Sequence, residues 1–296
     1  MRYALATRPA FLAVTGAACA IGLSSALADG VPIDMLKAIV TVVFALAAHA
    51  GANVLNDYYD SRSGNDAANT ERLFPYTGGS RFIQDGLLTE RETLALGSAL
   101  IAATMAAGLW LMATSAPGLF FFGAAGLFIA VGYSAPPFSL ASRGLGEAAI
   151  WIAWMLVATG TDFVQRAHAS PLPWFATASY ALLVANVLFI NQFPDRRTDE
   201  AVGKRHWVVR LGSRRAADAY LTAAIVAHLV VLLGVALREL PALAMIALFS
   251  LPASLHAANE LRHHHAKVSE LVPAIRSTIA AALLHGALVV VALLLG

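Results

Sequence analysis

The sequence predicts an all-α integral membrane protein, a single domain over residues 1–296 in which about nine transmembrane helices form a bundle with a parallel internal repeat. Three observations predict it. The chain is 58% hydrophobic and only 13% charged, where a soluble domain carries roughly 25% charged residues. Apolar stretches near the roughly 20 residues of a helical span recur at 10–28, 36–56, 93–113, 118–135, 145–162, 172–193, 216–237, 240–258 and 274–295. Two acidic clusters, "NVLNDYYDSRSGND" at 53–66 and "NQFPDRRTDEAVGKR" at 191–205, follow the second and sixth of these stretches.

The first stretch has the outline of a cleavable signal, with Arg2 and Arg8, an apolar core and "SALADG". Its apolar run is long for such a signal, and it is expected to remain as the first span. Several of the following stretches are rich in Gly and Ala, as close helix packing in lipid favours. The stretch at 240–258 is the weakest of the nine as a span. Crossing by crossing, the nine-span order leaves Lys37, Arg166 and Arg238 on one side and the other 17 of the 20 Lys and Arg on the opposite side. By the positive-inside rule the basic side is cytoplasmic. The expected location is the cell (inner) membrane, with both acidic loops cytoplasmic and the C-terminus outside. Cys19 is the one cysteine, so no intrachain disulfide forms. No nucleic-acid partner is expected.

On a helix at about 100° per residue, Asn53, Asn56, Asp57 and Asp60 fall within an arc of about 100°, with His49 on the same stripe. In the second cluster Asn191, Asp195 and Asp199 are spaced by four. Asn56 and Asp60 share that spacing with Asn191 and Asp195 at an offset of 135 residues. Both clusters follow an even number of crossings, so the repeat is parallel and its halves face each other across one site. Facing carboxylates ask for a hard cation such as Mg²⁺, which commonly shares its coordination with phosphate oxygens. Arg81, Arg143, Lys204 and Arg205 lie near enough in sequence to be diphosphate partners. Acid for a metal and base for phosphate at a bilayer surface point to a lipid diphosphate. The "HHH" at 263–265 reads as a solvated loop, and His228 and His285 as packing residues. Arg214 and Arg215 read as topology determinants. A cation-coupled transporter is the rival class, but it calls for ionisable residues near the midplane rather than at helix ends.

"NDYYDSRSGNDAAN", "TGGSRFIQDGLLT", "YSAPPFSLASRGLGE" and "NQFPDRRTDEAVGKRHWVVRLG" together resemble the UbiA superfamily of membrane prenyltransferases, most closely its MenA branch, which prenylates 1,4-dihydroxy-2-naphthoate in menaquinone synthesis. The resemblance implies a nine-helix bundle with a cytoplasm-facing polar cavity and a side opening to lipid. It maps a first motif onto Asn56, Asp57, Asp60 and Asp66, and a second onto Asn191, Asp195 and Asp199. Gly64 followed by Asp66 favours the naphthoate branch. His206 and the stretch "EAAIWIAWMLVATGTDFVQ" depart from it. The expected reaction is Mg²⁺-dependent transfer from a polyprenyl diphosphate to an aromatic acceptor, with 4-hydroxybenzoate, homogentisate or a tetrapyrrole as alternatives. The metal ligands are expected to be Asp60, Asp57, Asp195 and Asp199, and the catalytic set Asp60, Asp195, Asp199 and Asn56. Arg81, Lys204, Arg143, Asn191, Asn53 and Asp66 are expected to bind the diphosphate and its cation.

Overall fold

The computed structural model describes residues 1–69 and 71–296, with the backbone alone for Ala67 and Ala68. Nine principal helices account for the predicted spans: α1 Ala13–Ala28, α2 Met35–Arg62, α3 Glu90–Thr114, α4 Leu119–Gly132, α5 Gly146–Arg166, α6 Pro171–Ala201, α7 Trp207–Ala236, α8 Leu251–His264 and α9 Val272–Leu295. Among the described residues, eight candidate spans are long and apolar enough to cross a bilayer, counting the 3₁₀ segments that precede α1 and α8 as parts of theirs. The shorter α4 has 14 residues. Pro136 and Pro137 stop it, because proline offers no amide to continue the ladder. The stretch at 240–258 is not one continuous α-helix: a 3₁₀ segment, Ala242–Ser250, leads into α8.

The two acidic clusters extend helices rather than occupying loops. Helix α2 has 28 residues and α6 has 31, about 42 and 46 Å at the α-helical rise. Both exceed the roughly 30 Å hydrocarbon core, so their last turns carry polar residues beyond it. Local signals define the ends. The Asp34 carboxylate caps α2 by accepting from Lys37 N at 3.1 Å. Thr89 and Glu92 form a reciprocal capping box that starts α3.

Small residues set the distances between the cavity walls. A Cβ on Gly22 of α1 would lie 2.2 Å from the Ala158 carbonyl of α5. A Cβ on Gly97 of α3 would lie 2.8 Å from Leu55 of α2. The first contact is backbone to backbone and the second backbone to side chain, and neither leaves room for a methyl group, as small-residue packing in lipid requires.

His228 and His285 pack inside the second half as expected, within a continuous polar chain. Ser179 Oγ lies 2.9 Å from His285 Nε2, His285 Nδ1 lies 2.9 Å from Ser250 Oγ, and Ser250 Oγ lies 2.9 Å from His228 Nε2. His228 Nδ1 completes the chain at 2.7 Å from the Ala224 carbonyl. The Ser250 hydroxyl also donates to the Ala247 carbonyl at 2.7 Å, so this one oxygen stands at the centre of the chain. The chain ties α6, α9 and α7 to the 3₁₀ segment. Ser250→Ala strips two buried ring nitrogens of their partner, so it should destabilise the fold by about 1–3 kcal/mol. Reversible unfolding in mixed micelles, with Ser250→Thr as the hydroxyl-retaining control, measures the difference.

Candidate active site

The last turns of α2 and α6 open onto one cavity of about 720 Å³. At its polar end the lining includes Asn53, Asn56, Asp60 and Asp66 from the first cluster and Asn191, Asp195, Asp199 and Lys204 from the second. The rest is apolar, with Met105, Leu109, Phe120 and Leu127 from α3 and α4 and Ile150, Trp154 and Val157 from α5. One space therefore joins a charged end to a hydrophobic limb.

Lys204 couples the two motifs. Its Nζ lies 2.9 Å from Asp60 Oδ1 and 3.2 Å from Asp199 Oδ1. Gly203, at φ 84°, permits the reversal after α6 that brings the lysine back. Burial alone would lower the lysine's pKa, but the two carboxylates outweigh it and hold the ammonium above its ordinary range. His206 Nε2 lies 3.0 Å from the other Asp199 oxygen. Asn69 donates to Asp195 Oδ1 at 2.7 Å, and Asn56 donates to Asp60 Oδ2 at 3.1 Å and to Ser134 at 3.1 Å.

The remaining first-motif carboxylates sit in tighter surroundings. Asp66 follows Gly64, whose φ of 76° turns the chain out of α2 into the one-turn helix Asn65–Ala68. Burial, together with the charges of Asp60 and Asp57, pushes its carboxyl up to about 7. Gly79 passes so close that a Cβ there would lie 3.0 Å from Asp57 Oδ1 and 3.1 Å from Asp66 Oδ2. Its φ of 70° adds a backbone reason for glycine.

Three expected ligands take different positions. Asp57 lies off the cavity lining, ion-paired with Arg8 and accepting from Ser80 Oγ at 2.5 Å. The polar arc of α2 is wide enough that its edges meet different neighbours, and Asp57 is on the edge facing Arg8. Arg81 also lies off the lining; it donates to the Asp66 carbonyl at 2.7 Å and the Asn69 carbonyl at 3.4 Å. It thus braces the segment that presents Asn69 to Asp195. Arg143 is exposed and donates to the Pro137 carbonyl at 2.6 Å, holding the turn before α5. Their backbone partners lie within 15 residues in sequence, so local loop closure claims these cations first.

Sequence reasoning reads Arg8 as part of a signal-like N-terminus and a topology residue, yet it lines the cavity and also donates to Asn56 Oδ1 at 3.3 Å. Its position before the first span gives no hint that it folds back onto Asn56, 48 residues further along the chain. Asn69 and Ser134 were missed for the same reason. His206 was noted only as a departure from the family pattern.

Among the described residues, no three His, Cys, Asp or Glu side chains form a ready-made metal cage. The donor set still suits Mg²⁺. Asp60, Asp195 and Asp199 line one cavity end with Asn191, whose buried Oδ1 has no hydrogen-bond partner among the described residues. Mg²⁺ takes few protein ligands and completes its shell with water and phosphate, so an incomplete oxygen set fits it.

The sequence matches the UbiA prenyltransferase family over residues 15–279. It is 31% identical to the 1,4-dihydroxy-2-naphthoate octaprenyltransferase of Mycobacterium tuberculosis, over 82% of this chain and 80% of that one. A relative of the same name in Mycobacterium leprae is 30% identical over 62% of this chain and 60% of its own length. In fold, the chain is similar to a UbiA homologue from Aeropyrum pernix, with a TM-score of 0.68 at 21% identity over 94% of this chain and 97% of that one. A UbiA homologue from Archaeoglobus fulgidus, bound to DMAPP and Mg²⁺, gives a TM-score of 0.66 at 16% identity, over 95% of this chain and 99% of that one. The chain belongs to the UbiA prenyltransferase family.

Proposed function

We propose that this protein transfers a polyprenyl group from its diphosphate to an aromatic acceptor, and that the acceptor is 1,4-dihydroxy-2-naphthoate. The observation that carries the reading is the single cavity in which carboxylates from two helices meet an apolar limb. Asp60, Asp195 and Asp199, with the Asn191 amide oxygen, would hold Mg²⁺, which supplies Lewis-acid neutralisation of the diphosphate. Lys204 and Arg8 add positive charge beside the leaving group, where preorganised electrostatics have their largest effect. As the allylic C–O bond breaks, its electron pair leaves with the diphosphate. The apolar walls keep water from the resulting cation, and an electron-rich ring carbon forms the new bond. The ring regains aromaticity by losing a proton or, for a carboxylated position, CO₂.

Relatives about 30% identical carry the naphthoate name, which supports that acceptor. Gly64, which the resemblance ties to the naphthoate branch, directly precedes Asn65 and Asp66 of the cavity lining. With 1,4-dihydroxy-2-naphthoate and 4-hydroxybenzoate supplied at equal concentration beside one labelled prenyl diphosphate, the naphthoate product should predominate by mass analysis. Predominant benzoate product would reject this acceptor while leaving prenyl transfer intact.

The motif-bearing helix ends face the cytoplasm in this reading, and the C-terminus lies outside the cell membrane. Single cysteines at Ser63 and Ser213, in a Cys19→Ala background, should react with an impermeant reagent only after permeabilisation. One at Gly296 should react without it. Opposite accessibility of Ser63 and Ser213 would rule out a shared site.

A further inference from the structure

The same cavity has a second polar group that the diphosphate chemistry does not use. Thr15 of α1, His49 of α2 and Trp154 of α5 all line it. Thr15 Oγ1 lies 2.8 Å from His49 Nδ1, which fixes the imidazole and leaves Nε2 with no hydrogen bond among the described residues. The His49 and Trp154 rings meet edge-on, with centroids 5.1 Å apart and planes at 85°. Trp154 is 7% exposed. Its Nε1 is buried with no hydrogen-bond partner among the described residues.

Position sharpens the question. His49 is midway along the 28-residue α2, four residues before Asn53 and seven before Asn56, or about 6 and 10 Å along the helix axis. It therefore sits one step deeper than the diphosphate end. An ionisable residue at this depth marks function by default, and an unpaired indole N–H in an apolar wall is unfavourable. A polyprenyl tail has no atom to pair with either group. The limb formed by Met105, Leu109, Phe120 and Leu127 across the cavity suits the tail instead. The Gly22 contact between α1 and α5 keeps the polar wall rigid.

We propose that Thr15, His49 and Trp154 form the recess that binds the aromatic acceptor through its ring oxygens. The Trp154 Nε1–H donates to one oxygen, His49 Nε2 bonds to a second, and the two rings form a corner against the acceptor's face. Thr15 is a positioning residue that holds the imidazole. This recess rests on the prenyl-transfer reading above and adds the acceptor-binding groups to it.

Steady-state kinetics of Trp154→Phe, His49→Leu and His49→Gln, with 1,4-dihydroxy-2-naphthoate and its mono-O-methyl ethers, test the assignment. Trp154→Phe keeps a ring and removes the N–H alone. It and His49→Leu should each raise the acceptor KM about tenfold, the usual scale for a buried partner left unpaired. The KM for prenyl diphosphate and kcat should stay within about twofold, and His49→Gln should recover most of the loss. Masking the oxygen that a variant no longer contacts should cost that variant less than it costs the wild type. An unchanged acceptor KM in both variants would overturn the recess while leaving the reaction standing. A parallel rise in both KM values would likewise overturn it, since that marks a general packing role. Wild-type protein that prenylates no aromatic acceptor would instead overturn the functional reading, and the recess with it.

Discussion

Asp60→Asn should lower prenyl transfer by roughly 10²–10³-fold or more, the scale on which removing a single preorganised electrostatic group acts. The substitution keeps the side-chain shape and removes one negative charge. Asp60 Oδ2 accepts from Asn56 and Oδ1 faces Lys204, so the amide retains an acceptor for Asn56. Lys204 retains Asp199. Folding should therefore survive while the cation loses a ligand. Asp195→Asn should behave alike, because its amide oxygen can still accept from Asn69. Turnover by purified protein, beside a thermal unfolding trace, separates the two effects. Near-normal turnover in either variant would reject a site shared between the two motifs.

Exhaustive chelation should abolish turnover in the wild type, and added Mg²⁺ should restore it. The carboxylates of one cavity end repel one another, and only a cation brings the diphosphate's charge beside them. Without divalent cation the fold should persist, because the Lys204 ammonium already bridges Asp60 and Asp199 across the two motifs. Mg²⁺ with an unreactive prenyl diphosphate analogue should then raise the unfolding temperature, by the general rule that a ligand of the native state stabilises it. Full activity after chelation would exclude the metal assignment.

Much of the molecule was legible in the chain. Hydrophobic runs of span length showed the helical membrane class, because lipid leaves the backbone no partner but itself. The Asn-x-x-x-Asp spacing in Asn56/Asp60 and Asn191/Asp195 placed each pair on one helix face, because helical periodicity follows directly from sequence separation. Parity of the crossings brought both pairs to the same side. None of this needs a contact between distant residues.

What the tertiary structure decided are the pairings made across long separations. Whether Asp57 faces the cavity or Arg8 depends on how the N-terminal segment folds over α2. Arg81 looks identical in sequence whether it meets a phosphate or the carbonyls of Asp66 and Asn69. Spacing likewise does not reveal that Thr15, His49 and Trp154, on three helices, meet beside an indole N–H with no partner among the described residues. Periodicity settles which face of a helix a residue occupies; the neighbour that face meets is set by packing, through contacts such as that of Gly22 with the Ala158 carbonyl.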